Sequence, residues 1–84
     1  MLNSEAAQTF IEVEVSTAEL FVDLALDARG DSSRERHFGI ASKAYVAARH
    51  FLPRTGFARA KRQAFEKRLA EVQMKLERLG EVPA

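Results

Sequence analysis

The run Phe10-Ile11-Glu12-Val13-Glu14-Val15 is answered eleven residues later by Phe21-Val22-Asp23-Leu24-Ala25-Leu26, and five of the six positions match in character. Eleven residues complete almost three α-helical turns with a drift of roughly 20°, so both copies share one helical face. In a strand the odd shift would turn the second copy onto the opposite face. Ile11-Val13-Val15 taken alone reads as a strand, but the echo makes Phe10 to Leu26 one helix. Ser16-Thr17-Ala18-Glu19 offers a rival reading, a capping box that would start a shorter helix and free residues 9–15 as a strand. That strand would have no partner in this chain. The spacing therefore predicts a continuous helix from about Glu5 to Ala28, with Asn3 or Ser4 as its cap. Its apolar stripes are Phe10, Val13, Thr17, Leu20, Leu24 and, beside them, Ile11, Val15, Ala18, Val22, Ala25. Both follow i, i+3, i+7 spacing, which predicts a wide buried face.

Outward from this segment, Gly30 is the expected stop, since glycine takes the left-handed conformation that closes many helices. Ser32-Ser33-Arg34-Glu35 then forms a capping box. A second helix is predicted from about Ser33 to Leu52, with stripes Phe38, Ala41, Tyr45, Ala48, Leu52 and Ile40, Ala44, Ala47, Phe51. The alanines predict close approach of its neighbours. Pro53 ends it, because the residue before a proline is pushed out of the α region. A third helix is predicted from about Phe57 to Leu79, closed by Gly80 and Pro83. Its core line is Phe57, Ala60 or Lys61, Ala64, Phe65, Leu69, Val72, Leu76, Leu79. Arg62/Glu66, Lys67/Glu71 and Glu71/Lys75 stand at i, i+4 on its outside. Three such helices joined by short turns run up, down and up. The expected fold is all-α, a single antiparallel three-helix bundle.

With 84 residues the chain has room for one core, and one this short buries only about 60–65% of the surface its unfolded form exposes. Cysteine is absent, which removes disulfides and thiolate chemistry together. No basic n-region precedes an apolar run, and no apolar stretch approaches the roughly 20 residues that span a bilayer. A soluble, cytoplasmic protein is expected. The net charge of +1 conceals a split, since residues 1–28 carry six acidic and no basic side chains. Residues 29–84 carry thirteen basic and six acidic ones. Either the acidic helix lies against basic neighbours within the molecule, or the basic part faces a polyanion or acidic partner.

Catalytic and metal-binding patterns are missing from the sequence. His37 and His50 lie thirteen apart and about 140° apart in helical phase, which prevents a shared metal clamp. Glu12, Glu19 and Asp23 share a phase on the first helix, but the partner carboxylates and Glu-x-x-His motifs of a helical di-metal site are lacking. They read as a solvated acidic stripe. No enzyme activity and no cofactor are expected. Residues 49–62 carry Arg49, Arg54, Arg59, Lys61 and Arg62 without one acid, a candidate polyanion-binding patch around the second turn.

Ala41-x3-Tyr45-x2-Ala48-x4-Pro53 resembles the second helix of a tetratricopeptide repeat, with small, aromatic, small and proline at matching intervals. The first half of that signature fails, since its expected aromatic, Leu and Gly positions fall on Ala25, Ala28 and Arg29. As an architecture the chain resembles the microtubule-interacting-and-trafficking type of domain, a three-helix bundle whose grooves hold partner helices. The run from Ser42 to Arg54 also resembles small bacterial helical proteins with a Lys-Ala-Tyr…Phe-Leu-Pro core, a family that brings no activity with it. The surplus of apolar helix surface leads to the expectation of a non-enzymatic protein-interaction module that takes a partner helix or a second copy as a homo-oligomer. Val46, Phe51, Phe57 and Met74, beside or off the main stripes, are the expected interaction surface. Nucleic-acid binding through the basic patch is the alternative.

Overall fold

The computed structural model describes residues 5–81 and contains three α-helices: α1 (Glu5–Asp27), α2 (Asp31–Phe51) and α3 (Arg59–Glu81), with a 3₁₀ turn over Leu52–Arg54 between the last two. α1 is unbroken through Glu12–Val15 and through Ser16-Thr17-Ala18-Glu19, so the eleven-residue echo prevails over the alternation and the capping box. The proposed caps Asn3 and Ser4, and Pro83, lie outside the described residues. The up-down-up bundle is present as expected and measures 41 × 19 × 16 Å.

The helix ends are made differently from the sequence expectation. Gly30 does not adopt a left-handed conformation; it is the extended N-cap of α2, at φ −113° and ψ 148°. The Arg34 side chain reaches back over this junction, donating to the Ala28 carbonyl just past α1 at 3.2 Å and holding Asp31 at 3.0 Å. Ser32 therefore lies inside α2, and no side chain caps the helix start. At the other end, Leu52 keeps α conformation (φ −54°, ψ −50°) although it precedes Pro53. The chain tightens to 3₁₀ geometry and leaves the helical path only at Thr55. α3 begins at Arg59 rather than Phe57, because the Phe57 amide bonds the Thr55 carbonyl at 2.9 Å and its ring is held in the core. It also runs through Gly80.

Two clusters fill the bundle. One unites Ile11, Val15, Ala48, Leu52, Phe57, Phe65 and Leu69, and the other Ala18, Val22, Ala25, Ala41, Ala44, Val72 and Leu79. Tyr45 packs against both, and its hydroxyl donates to Gln73 Oε1 at 2.9 Å. The turn before α3 is tied down by polar bonds: Thr55 Oγ1 donates to the Phe51 carbonyl at 2.8 Å, and Gln8 Nε2 to the Gly56 carbonyl at 2.7 Å. Thr55 is fully buried with its hydroxyl partnered, which avoids the cost of an orphaned donor.

Candidate interaction surface

α1 divides its circumference into three faces. Ile11, Val15, Ala18, Val22 and Ala25 are fully buried. Glu12, Glu19 and Asp23 face α3, where Lys61, Arg68 and Lys75 meet them at 3.0, 2.6 and 2.8 Å. Both columns ascend together, so α1 and α3 run parallel. The carboxylates expected to be a solvated stripe are therefore one half of an ion-pair ladder, and the charge split seen in the sequence is used within the molecule. Lys75 pairs with Asp23 rather than with Glu71 on its own helix. The central rung is bidentate, with Arg68 Nε donating to Glu19 Oε2 at 2.9 Å. Hydrogen bonding to Arg68 holds the Glu19 carboxyl below its ordinary range, and the same bonds raise the Arg68 guanidinium.

The third face is apolar and open. Phe10, Val13, Leu20 and Leu24 are 43, 53, 56 and 38% exposed, and Thr17 continues their line. The expectation of a wide buried face is corrected here: only the Ile11–Ala25 stripe enters the core. The two stripes lie about 140° apart in helical phase, more than two neighbouring helices cover. The open residues fall at intervals of three, four, three and four, the spacing of a helix-pairing seam. A shallow depression of ≈330 Å³ runs along it, lined by Glu12, Val13, Ser16, Thr17 and Leu20.

Of the four residues expected to form an interaction surface, Val46 and Phe51 line one depression on α2, and Phe57 and Met74 are not part of it. Val46 and Met74 are 63 and 67% exposed, but on α2 and α3 respectively. Phe51 is half-buried against the core and meets Phe10 edge-on at 5.7 Å. Phe57 is buried, as the core line of the third helix predicted, 5.1 Å from the Phe65 ring, and its place on the interaction surface is corrected. On α3, Ala60 and Ala64 face solvent instead of the core, and Lys61 belongs to the ladder.

The five basic residues are also divided. Lys61 is held by Glu12, and Arg54 donates to the His50 carbonyl. Arg49 and Arg59 are exposed, while Arg62 is partly buried with its Nε making no hydrogen bond among the described residues. His37 stacks obliquely on Phe21 with ring centroids 5.6 Å apart, and its Nδ1 is likewise buried without a partner. Among the described residues no group of His, Cys, Asp or Glu is arranged to hold a metal, and no helix is long and apolar enough to cross a membrane.

Comparison with family models, curated proteins and solved structures found no match. Ala41 and Ala48, two of the positions that carry the tetratricopeptide resemblance, are buried packing positions, and Tyr45 is half-buried between the two core clusters.

Proposed function

We propose that this protein is a non-enzymatic interaction module whose docking surface is the open apolar seam of α1. The observation that carries the reading is the exposure of Val13 and Leu20, more than half open on a seam with helix-pairing periodicity. Water-exposed apolar surface so aligned is stabilised when another helix covers it, at about 25 cal/mol per Å² removed from water. The rest of α1 already has partners in the core and the ladder, so the seam is available without unfolding anything. The tetratricopeptide-like character of α2 agrees with such a role.

A photo-cross-linking residue placed at Leu20 tests this in the cells that make the protein. A discrete cross-linked product, lost when Val13 is changed to Asp, is expected. A seam that yields no product from Leu20, while a probe at Met74 behaves identically, overturns the reading.

A further inference from the structure

The apolar surface does not stop at α1. Phe10 of the seam meets Phe51, and Phe51 lines an open depression of ≈460 Å³ on α2 with Ser42, Lys43, Val46, Ala47 and His50. Arg36, Lys43 and His50 follow one another at intervals of seven, so they stand in one column, within about 40° of helical phase. All three are exposed. Glu35 and Asp31, the acids of α2, lie about 60° or more from every member of that column. Across the groove α1 carries no Lys or Arg. Its Glu14 and Asp27 flank the seam and make no ion pair among the described residues, whereas Glu5 shares the helical phase of Glu12, Glu19 and Asp23, which are held by α3. The α1/α2 face is thus apolar along its middle, acidic on one helix and basic on the other.

From this we infer that the occupant of the face is a second copy of the same chain, related by a twofold axis, with each α1 lying over the partner's α2. The inference rests on the docking role of the α1 seam and adds the identity of what covers it. Charge selects the pairing. Two α1 helices set directly together would bring carboxylates against carboxylates, while α1 over α2 places acid against Arg36 and Lys43 twice. The dimensions agree as well. Two helices of about 33 Å at about 10 Å spacing present a face of roughly 600–700 Å². That is close to the roughly 800 Å² that each partner contributes to a standard stable interface. A lone partner helix on α1 would leave the α2 depression open, whereas a second copy closes both.

Sedimentation equilibrium of the full chain and its variants tests the proposal. Wild type is expected at twice the chain mass in the tens of micromolar. The double change Val13→Asp with Leu20→Asp should give a monomer of unchanged helicity by circular dichroism. Met74→Asp, an equally exposed position on α3, should remain a dimer. Lys43→Glu should weaken the dimer about tenfold at low salt. A dimer that Lys43→Glu leaves untouched, or that Met74→Asp dissociates as fully as the double change, overturns this seating. Wild type that is monomeric at every concentration overturns the second copy. In that case a Leu20 cross-link to a different protein leaves the docking role standing, and no cross-link at all removes both.

Discussion

Arg68 grips Glu19 with two parallel hydrogen bonds, Nη2 to Oε1 at 2.6 Å and Nε to Oε2 at 2.9 Å, across forty-nine residues of sequence. The fork joins the first helix to the last, and the planar guanidinium matches a carboxylate in a way that a lysine ammonium does not. Arg68 also lies over the Phe65 ring, 5.4 Å from its centroid, so the cation is oriented from below as well as from the side.

The fork gives the stability of the bundle a pH dependence. Glu19 is depressed in the folded state by hydrogen bonding to Arg68, so its contribution is fully present above the unfolded carboxylate range near 4.3. It is lost as the pH falls through the lower folded value. Both side chains are over a third exposed, and solvent screening limits the gain to about 0.5–1 kcal/mol. Urea titrations of wild type and Glu19→Gln should differ by that amount at pH 7 and converge as the pH falls through the lowered folded value of Glu19. A constant gap across that window would show that Glu19 acts by packing alone.

Leu69 and Leu20 separate the two apolar faces energetically. Leu69 is fully buried, and Leu69→Ala should cost about 2–5 kcal/mol through lost burial and the cavity left behind. Leu20→Ala, at an exposed position, should change the stability of the monomer by less than about 0.5 kcal/mol. Denaturation at concentrations low enough to keep the chain monomeric distinguishes them.

Thr55→Val keeps the shape of a fully buried side chain but deletes the donor to the Phe51 carbonyl. The expected loss is about 1–2 kcal/mol, read as a lowered denaturation midpoint with an unchanged urea slope.

Gly39 stands in the interior of α2, and a Cβ built there meets nothing within 4 Å. Gly39→Ala should therefore stabilise the helix by about 0.5–1 kcal/mol by restricting the unfolded chain, seen as a higher thermal midpoint. A lowered midpoint would mean that close approach at this position is being used.

Periodicity carried the fold. The repeat from Phe10 to Leu26 decided helix against strand, and the alternating stripes of α2 located Ala41, Ala44 and Ala48 correctly. The same logic placed both stripes of α1 in the core, because periodicity reports which residues share a face and not which face the neighbours occupy. The acidic column would have decided it. Glu12 and Glu19 stand seven apart, as Lys61 and Arg68 do, and Asp23 and Lys75 extend the same two columns, which places α3 on one flank of α1 and leaves Val13 and Leu20 outside the bundle. Helix ends were less legible, since the Arg34 contact over the junction of α1 and α2 depends on a side chain reaching back six residues. Phe57 shows the same limit: it stood both on the core line of the third helix and among the spare apolar residues, and tertiary packing decides for the core.

Because the helices are odd in number and α1 runs alongside α3, the described segment leaves from opposite poles of a rod 41 Å long. Glu5 and Glu81 therefore stand at opposite ends of the bundle, and the open Phe10–Leu24 line of α1 occupies the flank between those ends.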